Sequence, residues 1–294
     1  MPRISNTKFQ IKMTACCISH NQKPQDKRFQ SLGAPKDRNR VWAVSAIHGH
    51  AEKLTAIHDA IFERFRAGDK LVYLGNYTGY GDQSVETVDE LLTFRRMLLS
   101  CRSVVPDDIV YLRGAQEEMW QKLLQLQFAT DPTNVLLWML ANGLAATLQS
   151  YGLSAHDGIE ACRKGVLGIG KWTDSIRAAI RRHPGHETLG TQLMRAAFTD
   201  EEQDHPLLFV HSGLDASKSL PEQGDNFWWP RKNFEDIHDA YRPFDKVIRG
   251  YDPAHKGFHA NCVTATIDGG CGFGGALIGT SFDNAAVMGD VLEA

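Results

Sequence analysis

Three stretches in the first 120 residues share one plan: a short apolar run ends in a glycine-containing loop, and a polar or helix-period segment follows. They are VWAVSA (41–46) into IHGH, KLVYLGN (70–76) into YTGYG, and DIVYLRG (108–114) into AQEE. After the first, Leu54, Ile57, Ile61 and Phe65 recur at helical spacing and Gly68 closes the stretch. Strand, loop and helix repeated in this order restrict the chain to an α/β core whose strands are at least partly parallel, joined by right-handed crossovers. The crevice beyond the strand C-termini is the default ligand site of such a sheet, and the loops are placed to converge there.

Residues 118–204 read as mostly helical, through NVLLWMLANGLAATLQSYG, DSIRAAIRR and TLGTQLMRAAF. Short strands then return: LLFVHSGL (207–214), KVIRGY (246–251), CVTATIDGG (262–270) and GALIGTSF (275–282). The last two are spaced for a hairpin around GGCGFGG. Residues 1–40 hold nine Lys/Arg and two Asp/Glu, and the remainder 23 and 33, so an arm of +7 precedes a body of −10 and the total is −3. That arm is expected to be a flexible solvated tail, with docking to an anion or partner as its functional alternative. The expected organisation is the arm (1–40) and one domain (41–294) carrying a helical insertion at about 118–204.

The net charge predicts no general attraction to nucleic acid or an anionic membrane. No apolar run approaches the roughly 20 residues that span a bilayer. Six cysteines show no C-x-x-C pair, which points to a reducing cytoplasm.

The strand-end loops resemble, in order and spacing, the signature blocks of the calcineurin-like metallophosphoesterases, and within them the bacterial phosphoprotein (Ser/Thr) phosphatases. That family carries G-D-x-H-G, G-D-x-x-D-R-G and G-N-H-E after its first three strands, then V-H-A-G, G-H-T and I-D-x-G. The corresponding stretches are SAIHG (45–49), GNYTGYG (75–81), RGAQE (113–117), VHSGL (210–214), RGYD (249–252) and TIDGG (266–270). NGLAATLQSYG (142–152) and WWPR (228–231) resemble two lesser family features. The resemblance runs from about residue 41 to 282 and implies a four-layer αββα sandwich with two mixed sheets and a mainly helical insertion.

It also implies a binuclear metal centre, and this chain departs from it. Such enzymes clamp phosphate between two ions, which a carboxylate must bridge. Carried over residue by residue, the first metal-binding Asp falls on Ala46, the bridging Asp on Asn76, the amide ligand on Ala115 and the turn His on Tyr251. The proposed general acid falls on Gln116, the Asp that orients it on Gly79 and the phosphate-binding Arg on Tyr80. His48 and His211 are the two metal ligands retained. An amide supplies no negative charge and bridges poorly, and Gln116 has no proton to give a leaving alkoxide.

The expectation is therefore a pseudophosphatase-like protein with no cofactor, or at most a single Mn, Zn or Fe ion at His48 and His211. Two imidazoles fall short of the three or four protein ligands usual for Zn²⁺. His50 or Asp82 is the candidate addition, while His255 and His259, which could replace the turn ligand, lie in a polar loop expected to be solvent-exposed. Arg231 matches the family's W-x-R contact. With Arg113, Asn76, Gln116 and the loop amides it forms a candidate metal-free phosphate cradle. Trp228 and Trp229 read as core or rim packing, and Glu117 and Asp268 as structural hydrogen-bonders. Ser45, Ser212 and Cys271 show no base at definable spacing. Two functions follow. The first is a non-catalytic module recognising a phosphoprotein, a phospho-ligand or a partner protein. The second is a phosphoester hydrolase, Ser/Thr phosphatase in type, with a rearranged or mononuclear site.

Overall fold

The computed structural model describes residues 26, 28–34, 39–101, 103–201 and 203–294. Its strands are β1 (Phe29–Ser31), β2 (Val41–Val44), β3 (Lys70–Tyr73), β4 (Ile109–Tyr111), β5 (Ala196–Phe198) and β6 (Leu207–Val210), then β7 (Lys246–Arg249), β8 (His259–Ala260), β9 (Thr264–Thr266), β10 (Ile278–Phe282) and β11 (Met288–Glu293). Its α-helices are α1 (Ala51–Phe62), α2 (Ser84–Ser100), α3 (Ala115–Leu123), α4 (Pro132–Met139), α5 (Ala145–Ser150), α6 (Ala155–Arg163), α7 (Gly165–Arg181) and α8 (His186–Thr191).

Five strands form one sheet in the order β11-β10-β2-β3-β4, and six form another in the order β1-β5-β6-β7-β9-β8. In the first, β2, β3 and β4 are parallel while β10 and β11 run antiparallel. In the second, β6, β7 and β9 are parallel, with antiparallel pairing of β5 to β6 and β8 to β9. Both sheets are mixed.

Side chains alternate across a strand, and the alternation builds the layers. Val41, Ala43, Val72 and Val110 face Phe209, Ile248 and Ala265 in a buried core between the sheets. Trp42, Val44, Tyr73 and Tyr111 turn the other way, onto Leu54, Ile57, Leu91 and Phe94 of α1 and α2. Beyond the second sheet, Leu208, Val210 and Val247 are covered by Phe227, Trp228, Phe234 and Phe244, most of them near short 3-10 turns. The result is the four-layer sandwich. The insertion helices build a core of their own around Leu136, Leu148, Trp172 and Ile176.

Four local expectations are corrected. Phe29–Ser31, placed in the basic arm, pairs in parallel with β5, and Phe29 and Leu32 are buried. Two apolar side chains suffice to dock so short an edge strand, whatever the charge around it. The rest of the expected arm (1–25, 27 and 35–38) lies outside the described residues. TLGTQLMRAAF is not one helix, since α8 ends at Thr191 and β5 begins at Ala196. The segment from 134 to 152 breaks at Asn142 and Gly143, whose non-helical dihedrals separate α4 from α5. The expected hairpin does not form, because β9 pairs with β7 and β10 with β2, in different sheets. The C-terminal strand β11 went unanticipated; its half-exposed alternation is that of a sheet edge.

If β1 belongs to the fold, Phe29→Ala should lower unfolding free energy by about 3 kcal/mol in urea titration. A change within about 0.5 kcal/mol, as at a solvated site, would return this segment to the arm.

Candidate ligand cleft at the strand ends

Backbone hydrogen bonds lace the strand-end loops together. The N–H groups of Ile47 and His48 both donate to the Asn76 carbonyl, at 3.0 and 2.7 Å, and Gly49 donates to Tyr77 at 2.8 Å. Ala46 donates to Gly250, and Gly250 and Tyr251 both donate to His211, each at 3.0 Å. The loops after β2, β3, β6 and β7 thus meet at one place.

Glu117 ties in the fourth strand. As the third residue of α3 it reaches back to the Gly114 N–H at 2.9 Å, capping the helix. The same carboxylate accepts the N–H groups of Asn76 and Tyr77, both at 2.9 Å. Burial pushes this carboxyl above its ordinary range, against the donors that favour the charged form. The approach demands glycine at 114, where a Cβ would stand 2.2 Å from the Asn76 nitrogen. Asp268 plays a similar part across β7 and β9, accepting from the N–H groups of Asp252 and Gly270 at 2.9 and 2.8 Å. These carboxylates hold backbone, and none of them lines the cleft.

The centre is neutral. Asn76 Oδ1 accepts the Gln116 N–H at 2.9 Å, which turns Nδ2 toward His48 Nε2 at 3.3 Å. A lone pair that a metal would need therefore receives an amide proton. His48 and Asn76 both hold φ of +54°, a conformation that costs a non-glycine residue of order 1–3 kcal/mol. His211 differs: Nδ1 donates to the Leu74 carbonyl at 2.6 Å, which leaves the Nε2 lone pair without a protein partner. That is the tautomer a ligating histidine adopts. Burial lowers both imidazoles from the usual 6.5, His211 to about 4 and His48 to about 3, the latter with added repulsion from His211, His50 and His255.

Aromatic rings fill the surroundings. Tyr251 stacks on His211 (centroids 5.4 Å apart) and lies 5.5 Å from the His48 ring, so its side chain bridges the two retained histidines. Tyr80 and Phe273 pack against each other at 4.6 Å and both contact His48. Gly79 has φ +132° and leaves no room for the resembled family's Asp, since a Cβ there would lie 2.9 Å from His48 Nδ1. Ala46 is wholly buried.

Of the residues singled out above, Asn76, Tyr80, Ala115, Gln116 and Tyr251 line one cavity of 420 Å³. Trp138, Asn142, Trp228, Trp229, His255 and Phe273 complete much of its wall. Gln116 donates through Nε2 to the Asn142 carbonyl at 2.8 Å, while its buried Oε1 has no partner. The two arginines of the expected phosphate cradle are elsewhere. Arg113 pairs with Glu118 at 3.1 Å and bonds Gln121. Arg231 is exposed and lines a separate surface hollow with Lys232. A nearer carboxylate holds the first of these side chains, and solvent surrounds the second.

Phe273 and Trp138 were not anticipated. The first was hidden in the glycine run expected as a hairpin turn, and the second reaches the cavity beside the unforeseen break at Asn142. Trp228 is buried and donates its indole N–H to the Arg113 carbonyl at 2.8 Å, so it is both core and wall. The binuclear metal group does not fit this donor set. Among the described residues no His, Cys, Asp or Glu completes a set of three around His48 and His211, and His255 instead packs on Phe273 with centroids 4.0 Å apart.

No protein-family model matches the chain, and no curated protein is significantly similar to it in sequence. Among solved structures, the fold is similar to that of a candidate diadenosine tetraphosphatase, at TM-score 0.51 and 16% identity over 91% of this chain and 98% of the other. A serine/threonine phosphatase from Saccharomyces cerevisiae aligns at TM-score 0.47 and 13% identity over 87% and 80%. A metallophosphoesterase from Sphaerobacter thermophilus aligns at 0.41 and 11% over 87% and 88%. At these identities the likeness is one of fold.

The depressed histidines set a pH dependence. Between about pH 6.5 and 4 the unfolded chain binds protons at His211 that the folded chain refuses, so their stability contribution is complete above 6.5 and falls on acidification. His211→Gln should flatten the loss by about 1.4 kcal/mol per pH unit in that window, measured by denaturant titration. Parallel pH curves for the two proteins would contradict a buried neutral His211.

Proposed function

We propose that the chain is a non-catalytic binding module on a metallophosphoesterase-like scaffold. Its cleft holds an uncharged planar group carrying an N–H or O–H donor, presented by a partner protein or a small molecule. The observation that carries this reading is the Asn76 amide at the position of the metal-bridging carboxylate, hydrogen-bonded to Gln116 on one side and facing His48 on the other. Tyr80, Ala115, Gln116 and Tyr251, at four more motif positions on the same cavity wall, point the same way. Among the described residues, a phosphate would find no Arg or Lys in the cavity wall. A planar group would find Tyr80, Trp229, Tyr251 and Phe273 for its faces and the unpartnered Gln116 Oε1 for its donor. The degenerate, phosphatase-like character rests on the six ordered sequence blocks and on the fold.

A second reading, a phosphoester hydrolase with one divalent ion at His48 and His211, is favoured only by the ligand-like tautomer of His211. Among the described residues no carboxylate lines the cleft, and Gln116, at the position of the family's general acid, has no proton to give.

Protein purified without chelator, supplied with Mn²⁺ and assayed on p-nitrophenyl phosphate, separates the two. No turnover is expected. Adenine, as an uncharged planar probe, should change the tryptophan fluorescence of the cleft, and Tyr80→Ala should weaken its binding roughly tenfold, from loss of one stacking face. Turnover abolished by His211→Ala would establish the hydrolase instead. A fluorescence response to inorganic phosphate but none to adenine would restore the phospho-ligand version.

A further inference from the structure

A second constellation lies outside the cleft. Asp89 on α2 and His183 and His186 around the α7–α8 junction bring one donor atom each within 4.8 Å of one another. We infer that these three residues form a binding site for a single divalent transition metal of the zinc class, with water completing the shell.

The spacing suits the ion. Donors at about 2.0–2.1 Å from a tetrahedral centre stand roughly 3.4 Å apart, and His186 Nε2 lies 3.1 Å from Asp89 Oδ1. The imidazole rings of His183 and His186 are neighbours with centroids 5.1 Å apart, and a donor nitrogen of His183 lies within 4.8 Å of the other two donors. His186 carries an outer partner as well: Nδ1 lies 2.8 Å from the Tyr151 hydroxyl. With Nδ1–H donating to Tyr151, Nε2 presents its lone pair to the Asp89 carboxylate. Two acceptors face each other, and a cation between them satisfies both, the arrangement typical of a ligating histidine. Without the ion the other tautomer serves, with Nε2–H donating to Asp89.

Access and count agree. His186 is buried, His183 is half-buried and the Asp89 side chain is 55% exposed, so an ion reaches the site from solvent. Imidazole nitrogen with a single carboxylate is a donor set that suits zinc better than magnesium or calcium, which prefer all-oxygen shells. Three protein ligands leave one open position. The ion would clamp α2, which packs on the first sheet, to the end of the helical insertion.

Zinc titration of the full chain by calorimetry, with Co²⁺ absorption as a second readout, tests the site. The proposal expects about one Zn²⁺ per chain and visible Co²⁺ bands of tetrahedral intensity. It expects at least tenfold weaker binding in both Asp89→Asn and His183→Ala, and unchanged binding in His211→Gln. Asp89 and His183 are at least partly exposed, so loss of folding does not confuse the result, and His186→Gln adds the buried ligand. No binding at millimolar Zn²⁺, or binding insensitive to Asp89→Asn and His183→Ala, overturns the site. Binding lost instead in His211→Gln overturns it too and moves the ion to the cleft.

Discussion

Three backbone N–H groups from two loops converge on the one carboxylate of Glu117, and the cleft takes its shape from that convergence. Glycine at 114 lets the chain ends after β3 and β4 approach closely enough for one side chain to serve both. Removing the carboxylate would leave buried donors unpaired, each costing about 1–3 kcal/mol. The loops after β2, β6 and β7 then hang on this pair through the carbonyls of Asn76, His211 and Gly250. A frame so cross-linked persists independently of what its centre does.

The centre carries side chains other than those of the resembled family's motif, on loops whose motif glycines are present. Left-handed backbone at His48 and Asn76 is the kind of strain that accompanies functional sites. Here it supports an amide rather than a bridging carboxylate. Burial keeps the two histidines neutral, and the rings of Tyr80, Tyr251 and Phe273 fill the surroundings. Replacing a carboxylate by an amide removes the need for cations to balance it. Aromatic filling without counter-ions is then the stable solution.

Placement of the cleft was legible because strand, loop and helix alternate locally. Asn76, Tyr80, Ala115, Gln116 and Tyr251 come together at strand ends whose positions follow from short apolar runs. Side-chain direction was not legible. Arg113 meets Glu118 five residues on, and Arg231 turns to the surface, choices settled by neighbours that spacing does not reveal. The strand β1 was masked by the charge around it, and β11 by its half-exposed edge pattern. Phe273 reaches the cleft only because β9 and β10 part into different sheets, a decision of long-range pairing.

The most direct test of a neutral, metal-free cleft is an anomalous difference map from crystals soaked in Mn²⁺. The account predicts no peak between the His48 and His211 rings. Two peaks about 3.5–4 Å apart there, with Asn76 and both histidines turned toward them, would contradict it.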